Sequence, residues 1–160
     1  MKAALYPGTF DPVTNGHIDI AVRASRIFPK VIAVVAENPA KEPLFSADER
    51  VELAKESFKE VPQIEVIKYS GLLVNCLREY NASVLIRGLR ALSDFEYEFQ
   101  MAFTNRNLLA SCETVFLMPS AKYTYLSSTM VKQIAQLKGD ITAFVPDCVR
   151  LKIEEKYRKI

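Results

Sequence analysis

The stretch Lys2-Ala3-Ala4-Leu5-Tyr6-Pro7-Gly8-Thr9-Phe10-Asp11-Pro12-Val13-Thr14-Asn15-Gly16-His17-Ile18 decides the fold. Its first part, Lys2–Tyr6, is a short apolar run that predicts a buried strand ended by Pro7-Gly8. From Ile18 to Phe28 apolar residues recur at helical spacing, placing Ile18, Val22 and Ile27 on or near one face. The unit is a strand, a loop bearing Gly8 and Gly16, and a helix.

The same unit recurs down the chain. Val31–Ala36, Ile64–Tyr69, Ser83–Arg87 and Thr114–Met118 are further short runs rich in Val, Ile, Leu and Phe, the composition of strands buried on both faces. Helical periodicity falls between them. Ala47–Glu60 opens with Ser46 and Glu49 at capping-box spacing. Leu73–Tyr80 is shorter, and Asp94–Ala110 is long, with Phe95, Phe99, Ala102 and Phe103 expected as its core stripe. Ser127–Lys138 stops at Gly139, an expected C-terminal cap, and Asp147–Arg158 follows Pro146. Strands alternating with helices predict one α/β domain over residues 1–160, a doubly wound five-stranded parallel sheet of Rossmann-like design.

Such a sheet binds ligands beyond the carboxyl ends of its strands. Gly8, Gly16, Gly71 and Gly88 all follow predicted strands. Neither a G-x-x-x-x-G-K-[ST] loop nor a G-x-G-x-x-G fingerprint is present, so a nucleotide site here needs another construction. Composition narrows the class. Hydrophobic residues make up 49% and charged residues 25%, and the formal net charge of +2 is too small for a general nucleic-acid binder. The apolar start ends at Pro7-Gly8, unlike a signal peptide, and no apolar stretch reaches the ~20 residues of a membrane span. Cys76, Cys112 and Cys148 form neither a C-x-x-C pair nor zinc spacing, which fits a reduced, cytoplasmic protein.

The candidate chemistry lies at that ligand edge. His17, the only histidine, stands at the predicted start of the first helix, where backbone N–H groups and the dipole favour phosphate; a satisfied packing histidine is the alternative. Thr9 in the same loop can orient a phosphate or simply shape a turn. Lys41 follows the second strand and is either solvated or aimed at an anion. Arg87-Gly88-Leu89-Arg90 ends an apolar strand with two guanidinium forks suited to phosphate. Ser127-Ser128-Thr129 opens a helix: one hydroxyl is needed as a cap, and three with a helix N-terminus make a second anion cradle. Tyr123-Thr124-Tyr125 is a wall for a purine or mere packing. Glu98 is either an ion-paired helix residue or a nucleotide contact. No Ser-His-Asp or Cys-His set and no metal cage is evident, so direct in-line transfer fits best, with magnesium arriving on nucleotide phosphates.

Thr14-Asn15-Gly16-His17 resembles the (His/Thr)-x-Gly-His signature of the nucleotidylyltransferase superfamily, and Leu126-Ser127-Ser128-Thr129-Met130-Val131-Lys132 resembles its second, Ser/Thr-rich signature. Tyr6 through His17, Ile86–Ala91, Asp94–Glu98 and Phe116–Ser120 resemble the bacterial phosphopantetheine adenylyltransferases over nearly the whole chain. The resemblance implies transfer of AMP from ATP to 4′-phosphopantetheine, giving dephospho-coenzyme A and pyrophosphate, in a magnesium-dependent homohexamer. It assigns the acceptor to Thr9, Lys41, Leu73 and Arg87. It assigns ATP to Thr9, Phe10, His17, Gly88, Leu89, Arg90, Glu98 and the segment Tyr123, Thr124, Tyr125, Leu126, Ser127, Ser128 and Thr129. His17 becomes the transition-state stabiliser, with Thr9, Lys41 and Arg90 as its catalytic partners. Gly71 stands where some relatives carry an acidic residue, and Thr129 where many have Ser. Rival readings are a nucleotidylyltransferase with another phosphorylated acceptor or CTP, and a nucleotide- or flavin-binding module without catalysis. The second leaves Thr9, His17, Lys41 and Arg90 together unexplained.

Overall fold

Five strands, β1 (Ala4–Gly8), β2 (Val31–Ala36), β3 (Ile64–Tyr69), β4 (Val84–Gly88) and β5 (Glu113–Leu117), form one parallel sheet in the order β3-β2-β1-β4-β5. The structure, a computed structural model, describes residues 3–37, 42–90 and 92–158, without the side chains of 92–94. The helices are α1 (Asn15–Ser25), α2 (Ala47–Phe58), α3 (Leu73–Glu79), α4 (Leu92–Leu108), α5 (Ser128–Gln136) and α6 (Asp147–Arg158), with a 3₁₀ turn at Ala121–Tyr123. The expected doubly wound α/β sheet is the fold.

The two faces of the sheet come from strict alternation. Ala4 and Tyr6 of β1 and Val31, Ala33 and Val35 of β2 enter one core with Ile20 of α1, Leu53 of α2, Val131 of α5 and Ile153 of α6. Leu5, Ile32, Val34 and Leu85 enter the other with Cys76 and Leu77 of α3. Both faces of the central strands are buried, which is why they read as unbroken apolar runs.

Several boundaries differ from expectation. β1 runs on through Pro7 and Gly8, although proline in a central strand argues against continuation. The reason is one-sided pairing. β1 pairs β2 along its whole length but pairs β4 only at Ala4 and Leu5. The Pro7 carbonyl faces β4, where it accepts from Arg87 Nη1 at 2.9 Å, so the missing N–H also faces the side on which the ladder has ended. Helix α1 starts at Asn15, not Ile18, and its buried face is Ile20, Ala21 and Ala24; Ile27 lies past its end and is exposed.

The largest correction concerns α4. Phe95, Phe99 and Phe103 are 42%, 47% and 51% exposed, so the three aromatic residues of the expected core stripe face outward and only Ala102 of that stripe faces inward. Glu98, Met101, Ala102 and Asn105 face inward instead. Apolar residues fall on all sides of this helix, so periodicity does not choose its buried face. Gly139 also plays another part. Lys138, at φ 58, takes the left-handed seat after α5, and Gly139 N–H reaches back to the Ile134 carbonyl at 2.9 Å. A Cβ on Gly139 would lie 2.7 Å from Ile134 Cγ2, so glycine is needed for close approach.

Candidate active site

β2 lies on one side of β1 and β4 on the other, and the strands part beyond Leu5, so a crevice opens at their carboxyl ends. It is a cleft of about 550 Å³. Thr9, Phe10, His17, Arg87, Gly88, Arg90, Glu98, Tyr123, Leu126, Ser127, Ser128 and Thr129 all line it. A smaller chamber of about 270 Å³ shares the Pro7–Thr9, Arg87 and Glu98 wall and contains Leu73. Leu89, Thr124 and Tyr125 do not line the cleft, and Lys41 lies outside the described residues. Phe10 is 1% exposed, and its ring packs edge-on against Tyr6 and His17.

His17 belongs to the cap of α1. The N-cap Thr14 accepts from His17 N–H through Oγ1 at 3.3 Å, and Thr14 N–H donates to His17 Nδ1 at 3.0 Å. This is a capping box with histidine in the seat usually held by Glu or Gln. A backbone N–H only donates, so Nδ1 accepts and the neutral ring carries its proton on Nε2. Burial, then the Arg90 and Arg87 charges, pull the imidazole from 6.5 down to about 4. At neutral pH His17 is therefore an uncharged N–H donor of fixed tautomer.

Arg87 and Glu98 form a fork, Nε to Oε2 at 2.7 Å and Nη2 to Oε1 at 2.5 Å. Burial works against the Arg87 charge, but Glu98 more than offsets it and raises its pKa. Glu98 is thus ion-paired. Arg90 reaches across to the Leu126 carbonyl at 2.9 Å and ties the turn after β4 to the start of α5. Of the three hydroxyl residues, Ser127 caps α5 through Met130 N–H at 3.1 Å, and Ser128 donates to the Pro12 carbonyl at 2.8 Å.

A family model described as cytidylyltransferase-like matches residues 5–134. Over 159 residues the chain is 55% identical to a phosphopantetheine adenylyltransferase of Caldanaerobacter subterraneus subsp. tengcongensis, covering 99% of each. It is 53% identical to the phosphopantetheine adenylyltransferase of Dictyoglomus turgidum over 158 residues, 99% of each, and 53% identical to that of Methylococcus capsulatus over 154 residues, 96% of this chain and 95% of the relative. The chain belongs to the phosphopantetheine adenylyltransferase family. It is accordingly a nucleotidyltransferase enzyme.

For a phosphopantetheine adenylyltransferase, the structure adds residues to which sequence reasoning gave no role. Asp11, 4% exposed, accepts from Leu44 N–H at 2.9 Å, Phe45 N–H at 3.0 Å and Lys132 Nζ at 2.8 Å, joining the loop after β1, the loop before α2 and helix α5 at the cleft wall. Asp19 on α1 accepts from Ser120 N–H, Ser120 Oγ–H and Arg23, and so latches the segment before Tyr123 onto α1. Burial opposes the Asp19 charge, but Ser120 and Arg23 more than offset it and lower its pKa. Asp11 and Lys132 sit inside the quoted strings, yet no sequence signal marks them as partners. Gly71, at φ 130, lines the smaller chamber in a conformation that other residues rarely adopt. Among the described residues no three His, Cys, Asp or Glu side chains gather as a metal cage. No helix among them is long and apolar enough to cross a membrane.

Proposed function

We propose that this protein transfers AMP from ATP to 4′-phosphopantetheine in coenzyme A biosynthesis, in the cytoplasm. A phosphate oxygen of phosphopantetheine attacks the α-phosphorus of ATP. One P–O bond forms, the bond from that phosphorus to the bridging oxygen breaks in line, and pyrophosphate leaves with the electron pair. No covalent enzyme intermediate is needed. The observation that carries this reading is the pair of joined chambers: a polar cleft ending in the cap of α1 and the start of α5, and a narrower chamber lined by Leu73, Leu85, Met101, Ala102 and Asn105. The first suits a nucleotide and the second a slender arm with amide groups; the shared wall at Thr9 is where their phosphates would meet.

In this reading His17 Nε2–H donates to the α-phosphate and gains strength as charge builds there. Thr9 and Lys41 hold the attacking phosphate, with Arg87 and Leu73 on the acceptor. Phe10, Gly88, Leu89, Arg90, Glu98 and the Tyr123–Thr129 segment hold ATP, where Arg90 adds fixed positive charge. Of the cleft carboxylates Asp11, Glu42 and Glu98, Asp11 and Glu98 are already engaged by protein donors, which fits a magnesium ion held chiefly by phosphate oxygens and water. When bound, that ion neutralises phosphate charge. We also propose a homohexamer, a reading supported by the exposed Phe95, Phe99 and Phe103 of α4.

The test is incubation with ATP, magnesium and 4′-phosphopantetheine while pyrophosphate is followed. Release that requires all three is expected; folded protein that releases none sinks the proposal. Release with CTP or another phosphate monoester in place of the named substrates would favour the nearest rival.

A further inference from the structure

Arg50 lies on α2 outside both chambers, yet it is only 3% exposed. A buried charge is costly unless it is paired or hydrogen-bonded. Among the described residues no carboxylate lies within ion-pair distance of it. Its bonds go instead to two backbone carbonyls: Nη1 donates to Thr9 at 2.7 Å and to Ala36 at 3.0 Å, while Nε–H is buried without an acceptor. For stability alone, an apolar side chain of similar volume is often as good as a buried charge. What an apolar residue lacks is a donor: the two N–H groups of Nη1 hold the loop after β1 and the end of β2 together.

We propose that Arg50 is a positioning residue for the acceptor side of the active site. Thr9 and Ala36 both line the smaller chamber, and Thr9 also lines the cleft, so the two carbonyls held by Arg50 fix the wall where the chambers meet. The elements forming the far wall of the nucleotide cleft are tied by other contacts: Arg90 to Leu126, and Asp19 to Ser120. Arg50 touches none of these. Its loss therefore displaces the acceptor wall while leaving most of the nucleotide wall in place. The Asp11 carboxylate does a companion task in the same region, holding Leu44 and Phe45. The inference rests on the adenylyl-transfer reading for the identity of the two substrates.

Arg50→Lys keeps the charge, but its ammonium sits on a shorter stem and lacks the planar geometry that aims both Nη1 N–H groups at the two carbonyls. Arg50→Gln keeps a planar donor without charge, and serves as the test variant should the lysine protein fail to fold. Each is compared with wild type by circular dichroism, thermal unfolding and full two-substrate kinetics. The expected result is a split. A wall displaced by about an ångström should lower kcat/KM for phosphopantetheine about 10- to 100-fold, while the ATP KM moves less than about threefold. A merely structural Arg50 would lower the melting temperature and leave both KM values alike, and that outcome overturns the proposal, as does an unchanged kcat/KM in folded variant. Failure of the wild type to turn over these substrates would instead refute the functional reading, and the two failures are thereby distinct.

Discussion

Replacing His17 separates two jobs held by one side chain. Its Nδ1 accepts Thr14 N–H in the cap of α1, and its Nε2–H is the proposed donor to the reacting phosphate. Removing one preorganised donor costs about 10²–10³ in kcat, or about 3 kcal/mol. Losing a helix cap contact costs about 1 kcal/mol of stability. His17→Ala loses both. His17→Glu places the ordinary capping-box carboxylate at the same position, an acceptor with no N–H, and should restore the cap but not the donor. The expectation is that both variants lose about 10²–10³ in kcat while only His17→Ala unfolds at lower urea concentration. Steady-state pyrophosphate release and urea titration read the two quantities. A His17→Glu enzyme with near wild-type kcat would refute the donor role.

The pH dependence tests the same assignment from another side. Burial and the two nearby arginines lower the His17 pKa from 6.5 to about 4. Between these values the unfolded chain binds a proton that the folded chain does not. Stability attributable to His17 is therefore present above 6.5 and declines as pH falls toward 4. The rate should show no His17 titration at neutral pH. A wild-type limb near 6.5 that vanishes in His17→Gln would overturn the neutral-donor argument.

Glu98→Ala leaves Arg87 half-buried without its carboxylate and should lower stability by about 1–3 kcal/mol in urea titration, with Glu98→Gln costing less. Lys138→Gly relieves a left-handed backbone at φ 58 and should stabilise by about 1 kcal/mol, read as a higher unfolding midpoint at matched protein concentration. Phe99→Asp places charge in the exposed aromatic row of α4, 47% exposed and 4.7 Å from the Phe103 ring; light scattering should show a lower solution mass with unchanged circular dichroism.

β1 and β2 were legible because they are buried on both sides, and burial on both sides leaves apolar runs; the edge strand β3 instead carries Glu65 and Lys68 exposed. The helix boundaries were legible where caps use common residues. Ser46 and Glu49 form the expected capping box, with N–H contacts at 3.2 Å and 2.8 Å. The exposed face of α4 was not legible. Phe95, Phe99 and Phe103 have the spacing of a core stripe, but spacing shows only that residues share a face. Here the inward face carries Glu98 and Asn105, two polar residues that build the chambers, beside Met101 and Ala102, so apolarity marks neither face.

The site shows the same division between chemistry and position. Residues proposed to bear on phosphate are visible by type: a lone histidine, paired arginines, successive hydroxyls. Residues that hold backbone, such as Arg50 and Asp11, look like ordinary helix and loop charges, since a carbonyl acceptor leaves no trace in sequence. His17 belongs to both groups, and that is where the expected start of α1 misled. A helix beginning at Ile18 would leave His17 outside it, with either ring nitrogen free to donate. A helix beginning at Asn15 puts His17 three residues past Thr14, the same spacing as Ser46 and Glu49, and commits Nδ1 to the Thr14 N–H. The tautomer at the proposed reaction centre is therefore decided by where a helix starts, and a change that unravels the first turn of α1 should disable the histidine without touching its side chain.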